Sequence, residues 1–193
     1  MKLHNLEGWG AFEMFYQEVY NQSQDGYRFL EIGTWLGRSA ANMAEIIKAG
    51  NKKIHFYVID NFEGSNGEDT YKEFLGKHGG SSYIPFLKNM IKCDTLESMI
   101  PIVGKSAIMA DLFEDNFFNF IFIDASHTYE DVKLDVEKWY PKVKSGGLIS
   151  GHDIWSEPVK RAVVDALASF GVDLNKVNVI QYGNDPIWTY VKE

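Results

Sequence analysis

The sequence predicts an α/β protein organised around a largely parallel sheet, and three observations predict it. From residue 27 onward, apolar runs rich in β-branched and aromatic residues alternate with helical patterns, the mark of βαβ units. The stretch FLEIGTWLGRSAANMAE reads as a strand, a glycine turn and a helix start in succession. Two further strand-like runs, KVNVIQYG and PIWTYVK, flank Asn184 and Asp185, residues suited to a turn, so the sheet finishes in an antiparallel hairpin.

Taken in order, residues 1–25 hold an N-terminal helix. Its aromatic residues Trp9, Phe12, Phe15, Tyr16 and Tyr20 suit an amphipathic helix laid against the domain, or a dimer contact. Parallel strands are expected at 27–33, 53–60, 99–104, 118–124 and 147–153. The helix after the fourth strand is capped by Thr128 with Asp131 three residues on. Tyr129, Val132, Val136 and Trp139 recur at helical spacing, and Pro141 stops it. After the fifth strand, Ser156 caps a helix with Pro158 in its first turn, an apolar stripe from Val159 to Phe170, and Gly171 at its end. Residues 62–82 contain five Gly and three Ser and interrupt the alternation, so 62–90 reads as a lid-like insertion rather than a linker.

A chain of 193 residues suits a single domain spanning 1–193. An apolar share of 45% argues for a packed core and against disorder. The net charge of -8 disfavours nucleic-acid and membrane partners. Cys93 is the sole cysteine, the opening MKLHNLEGWG lacks the apolar core of a secretion signal, and no apolar segment approaches membrane-spanning length, so a cytoplasmic location is expected.

In open α/β sheets ligands sit at the carboxyl ends of the strands. Gly33 lets the chain turn, Gly37 allows close backbone approach, and a helix N-terminus near Ser39 offers N–H groups to a carboxylate or phosphate; a turn needing glycine for its own geometry is the alternative. Asp60 ends the second strand, where an acid can accept both hydroxyls of a ribose, or can simply be a surface aspartate. The spacing lacks Gly-x-Gly-x-x-Gly, and Glu31 would place negative charge near a pyrophosphate, so a cationic ligand fits better than a nicotinamide dinucleotide. Arg38 is read as a solvated first-turn residue.

The run of Glu31, Gly33, Gly37 and Ser39, then Asp60, GKS at 104–106, Asp124 and KSGGLISGHD resembles S-adenosylmethionine-dependent methyltransferases of the seven-stranded α/β fold. Within them it is most similar to cation-dependent O-methyltransferases of the catechol and caffeoyl-coenzyme A type and to macrolide-sugar O-methyltransferases. The resemblance covers residue 27 to the C-terminus and implies a Rossmann-like, seven-stranded, mostly parallel sheet with helices on both faces. It implies that Glu31 and Gly33 line the methionine end of the cofactor, Ser39 binds its carboxylate, Asp60 its ribose and Ser106 its adenine. Thr34, Gly37, Asn61 and Asp124 complete that set. Lys105 departs from the small or acidic residue that often precedes the serine.

In the cation-dependent members an aspartate ends the fourth strand, a base follows three positions later, and a second aspartate ends the fifth; here these places hold Asp124, His127 and Asp153. Adjacent strands lie about 5 Å apart, so two such carboxylates can share one cation, magnesium or manganese. That cation would acidify a substrate hydroxyl whose proton His127 removes. The third ligand breaks the pattern. Ile154 stands where the catechol type has asparagine, and His152 where the macrolide-sugar relatives have an acid; a ligating His152 suits manganese, iron or zinc at least as well as magnesium. Three alternatives stay open: Asp124 binding the cofactor's amino group without metal, His127 as a plain helix-start residue, and His152 as a structural histidine. The resulting expectation is metal-assisted O-methylation of a small-molecule hydroxyl on a sugar, polyol or phenol. A metal-independent methyltransferase with His127 as lone base and a non-catalytic cofactor-binding module are the competitors. The acceptor pocket would draw on the N-terminal helix and on Tyr71, Phe74 and Tyr83.

Overall fold

The computed structural model describes residues 6–8, 10, 12–65, 69–182 and 185–193. Trp9, His4, the segment 66–68 and the turn residue Asn184 lie outside the described residues. In chain order the elements are α1 (Glu13–Gln22), β1 (Arg28–Ile32), α2 (Arg38–Ala49), β2 (His55–Asp60), α3 (Asp69–Lys77), α4 (Tyr83–Lys92), β3 (Ile100–Val103), α5 (Ser106–Met109), β4 (Phe118–Ile123), α6 (Tyr129–Trp139), β5 (Val143–Gly151), α7 (Glu157–Ser169), β6 (Asn178–Tyr182) and β7 (Asp185–Val191). Seven strands form one sheet in the order β3-β2-β1-β4-β5-β7-β6. The first five run parallel, and β7 is antiparallel to both β5 and β6. Chain order reverses between β1 and β4, which opens a crevice at their carboxyl ends.

Alternation along the strands divides the core into two layers. Leu30, Ile32, Ile121 and Ile123 face Val136, Trp139, Val163 and Leu167 of α6 and α7. Phe29, Phe120 and Phe122 face Phe12, Phe15 and Tyr16 at the N-terminus and Ala41 and Ala44 of α2. Period-two geometry would put Phe118 with Phe120 and Phe122, yet Phe118 packs in the α6/α7 layer. The β4–β5 register shifts between Phe118 and Phe120, and such an irregularity turns the side chain to the other face.

The aromatic residues Phe12, Phe15, Tyr16 and Tyr20 are all buried within the chain's own fold, so this helix face is spent on the sheet. The stretch expected to be an irregular loop carries α3, and Trp35 meets Tyr71 at 4.5 Å and Phe74 at 5.2 Å between ring centroids. The end of the expected lid is core rather than cover: α4 buries Phe86 and Met90 completely. Thr128 caps α6 as its sequence suggests, accepting from the Asp131 N–H. Ser156 makes no side-chain cap on α7; its own N–H donates to the Asp153 carbonyl. Among the described residues no helix is long and apolar enough to cross a membrane.

Candidate active site

A cavity of about 490 Å³ opens at the carboxyl ends of β1, β2 and β4, within the range that holds small ligands. Its floor is the glycine turn. Gly33 has φ +81, and a Cβ there would lie 2.2 Å from the Asp124 carbonyl oxygen, so only glycine lets the β1 turn meet the end of β4. Gly37 also has a positive φ, but a Cβ on it would strike Met90 and Phe86 of α4. Its glycine therefore serves helix packing, and Gly37 is not on the cavity wall.

Asp60 holds this turn. Its Oδ2 accepts the backbone N–H groups of Thr34 and Trp35, both at 2.8 Å, and its Oδ1 accepts that of Phe62 at 2.7 Å. Trp35 and Phe62 both sit in the left-handed region, at φ 50 and 58. Such backbone costs on the order of 1–3 kcal/mol per residue, and charge-assisted hydrogen bonds offset it. The expected ribose acceptor thus already has three donors. A carboxylate accepts about four, so capacity for one more remains on the cavity side. Asn61, beside it on the wall, accepts the Glu63 N–H at 2.8 Å.

Glu31 does not line the cavity. It projects from β1 into the aromatic layer, between Val58 and Phe122 in register, and is 1% exposed. Tyr16 donates to its Oε2 and Ser39 to its Oε1, each at 2.7 Å. Burial pushes its carboxyl up to about 7, against the Ser39, Tyr16 and Thr34 hydroxyls that pull the other way. Ser39 stands between Glu31 and the cavity, its one proton already directed at Glu31. The Thr34 hydroxyl is buried without a well-formed hydrogen bond and lies close enough to the Glu31 carboxyl to help hold its pKa down, while Thr34 itself lines the cavity.

Opposite the glycine turn, β4 and β5 place Asp124, His152 and Asp153 together. Ile123 and Gly151 pair in register, so Asp124 and His152 are the next residues along adjacent strands. Asp153 has φ 55, and this left-handed turn keeps its carboxylate beside the other two rather than carrying it away. One ligand atom from each of the three lies within 4.8 Å of the others. His152 Nδ1 is 3.4 Å from Asp124 Oδ1 and 3.3 Å from Asp153 Oδ2, while its Nε2 is buried without a hydrogen bond. Burial disfavours charge on this imidazole, but the two carboxylates outweigh it and push its pKa up to about 10. Burial acts likewise on Asp153, yet His127 and His152 hold its carboxyl well below the usual range. His127 Nε2, from the turn before α6, lies 2.8 Å from Asp153 Oδ2.

Several wall residues carry no signal as a strand-end motif. Arg38 is half-buried on the wall and donates to the Gly8 carbonyl at 3.0 Å, in contrast to the solvated role expected for it. From α6, Asp131, Leu134 and Asp135 reach the cavity at the i, i+3, i+4 spacing that shares one helix face. Tyr71 of α3 joins the wall as expected, whereas Tyr83 packs on Phe62, 5.0 Å away. With Asp60, Asp124, Asp131, Asp135 and Asp153 facing Arg38, Lys105 and the protonated His152, the described wall is still acidic on balance and favours a cationic ligand.

A family model described as a methyltransferase domain matches residues 30–154, more than half of the chain. The chain belongs to this methyltransferase-domain family. The matched segment runs from β1 to the turn after β5, and so contains the glycine turn, Asp60, Asp124, His127 and Asp153. Uncharacterized protein y4gI of Sinorhizobium fredii is 26% identical to the methyltransferase domain over 131 residues, which are 65% of this chain and 13% of that protein. The chain thus spans about an eighth of that relative's length.

Solved structures agree on the fold of the methyltransferase domain. The O-methyltransferase NovP superposes with a TM-score of 0.72 at 21% identity, over 94% of this chain and 79% of NovP. A Staphylococcus aureus protein assigned as a caffeoyl-CoA O-methyltransferase gives 0.61 at 17% identity, over 96% and 84%. Precorrin-6y C5,15-methyltransferase from Geobacter metallireducens gives 0.65 at 14%, over 98% and 91%. These names differ in their acceptors, so the acceptor must be argued from the site and not from the fold.

Proposed function

We propose that the chain transfers the methyl group of S-adenosylmethionine to a hydroxyl of a small molecule, a sugar, polyol or phenol, with His127 as general base. The observation that carries this reading is the 2.8 Å contact between His127 Nε2 and Asp153 Oδ2, on the wall of the cavity that also contains the glycine turn. Asp153 orients the imidazole and stabilises the imidazolium that forms when His127 takes the hydroxyl proton. S-adenosylmethionine, when bound, would supply the electrophilic methyl carbon, with the neutral thioether as the leaving group when oxygen takes the methyl. The remaining acceptor site of Asp60 and the acidic wall support binding of this cationic donor. Holding both reactants in line supplies much of the acceleration.

Asp124, His152 and Asp153 fit a divalent cation, magnesium or manganese, in the donor types they offer and in their spacing. Such a cation would act as a Lewis acid that lowers the pKa of the acceptor hydroxyl. A metal-independent reading is favoured by one observation: His152 already lies within 3.4 Å of both carboxylates, balancing their charge. A single calorimetric series tests these readings, with S-adenosylmethionine titrated first and manganese second. Donor binding followed by a cation response that Asp153→Ala abolishes supports the metal-assisted reading. Donor binding and hydroxyl methylation with no cation response leave the metal-independent one. Donor binding without turnover on any hydroxyl panel leaves a binding module, and no donor binding ends the proposal.

A further inference from the structure

The end of the cavity beyond the glycine turn is built from the Gly104–Ala107 turn on one side and α6 on the other. Asp135 of α6 is 6% exposed, and its side chain borders the cavity. A buried carboxylate is costly unless donors reach it. The protein supplies Ser106, whose hydroxyl is hydrogen-bonded to Asp135. The direction of that bond is fixed by Trp139, because its indole Nε1–H, a donor only, points at Ser106 Oγ at 2.7 Å. Ser106 must therefore accept from Trp139 and donate to Asp135. This corner consequently offers a ligand acceptors and no side-chain hydroxyl proton.

We infer that Asp135 is the specificity-determining residue for the base of the cofactor, its carboxylate accepting the exocyclic 6-amino group of adenine. The inference rests on the reading of this cavity as the S-adenosylmethionine site. An aminopurine brings its exocyclic donor to a corner of acceptors, whereas a 6-oxopurine brings a carbonyl oxygen against the carboxylate and can pair with it only by shifting to present N1–H. Leu134, on the same face of α6 and 44% exposed, gives the base an apolar neighbour. Lys105, in the turn itself, brings no acid, so the acidic group comes from a helix some thirty positions later in the chain. Burial raises the Asp135 carboxyl to about 6 while Ser106 opposes it, so the acceptor form prevails above neutral pH.

The test is calorimetry on the full chain at pH 8 with S-adenosylhomocysteine and S-inosylhomocysteine, its 6-oxo counterpart. Wild type is expected to bind the inosyl compound roughly tenfold or more weakly. Asp135→Asn, whose amide can donate to an oxo group, is expected to lose most of that preference. Ser106→Ala, which leaves the carboxylate in place, is expected to keep the preference with weaker affinity for both. Equal wild-type affinity for the two ligands overturns the inference, whether or not the variants fold. An Asp135→Asn protein that loses both ligands equally also overturns it, since that is the signature of a merely structural carboxyl. Binding of neither ligand by wild type removes the cofactor reading and the inference with it.

Discussion

His127 Nε2 lies 2.8 Å from Asp153 Oδ2, although the two residues come from different strand ends of the sheet. In the proposed reaction this contact would join the base to the group that orients it. Replacing His127 by Ala should lower kcat about 10²–10⁴-fold on the accepted hydroxyl. S-adenosylmethionine affinity should stay within about twofold, because the proposed reaction gives the histidine to the acceptor hydroxyl and not to the donor. Steady-state kinetics with calorimetry on the same preparation checks both. Full turnover in the variant would remove the base assignment.

Asp60 carries more of the fold than its place at a strand end suggests. Asp60→Ala leaves three backbone N–H groups without an acceptor and two left-handed residues without support. A destabilisation of roughly 3 kcal/mol is expected, read from chemical unfolding in the absence of any ligand. A variant as stable as wild type that only binds cofactor less well would make Asp60 a ligand residue alone.

Glu31 should make stability fall as pH rises. Its folded pKa of about 7 exceeds the ordinary 4.5, so the folded state holds the proton more tightly than the unfolded chain does. Stability from this group is complete below about 4.5 and is lost as pH climbs through about 7. The full change is on the order of 3 kcal/mol. Glu31→Gln should flatten the unfolding curve across this window, the remaining slope coming from Asp135, raised to about 6, and from His152, raised to about 10, which acts above about 6.5. Identical slopes for the two proteins between pH 5 and 8 would contradict the burial argument.

The same residue should couple protons to cofactor binding. On the proposed reading a cationic donor bound beside Ser39 would favour the ionised form of Glu31, so affinity for S-adenosylmethionine should strengthen from pH 6 to pH 8 and release a proton at the lower end. Calorimetry in buffers of different ionisation enthalpy measures that proton. Glu31→Gln should release none from this position.

Much of the architecture is legible in the sequence because its signals are local. Period-two apolar runs mark β1, β2 and β4, Thr128 and Asp131 mark the start of α6, and Asp185 lies at the hairpin that reverses the last strand. The helix α3 is less legible, because glycines surround a segment whose apolar face exists only against Trp35.

By itself the sequence determined the α/β class, the hairpin, and the placing of Asp124 and Asp153 at strand ends, since each is a local pattern, while the pairing of those two strands was implied by the family resemblance and is seen in the sheet. Only the tertiary structure decided that Glu31 lies under Ser39 rather than on the wall, that Gly37 serves α4, and that Asp135 borders the cavity. These outcomes depend on which distant residue occupies the space beside a side chain. Desolvation, steric contact and hydrogen-bond direction belong to such pairs, and no window of consecutive residues contains both members.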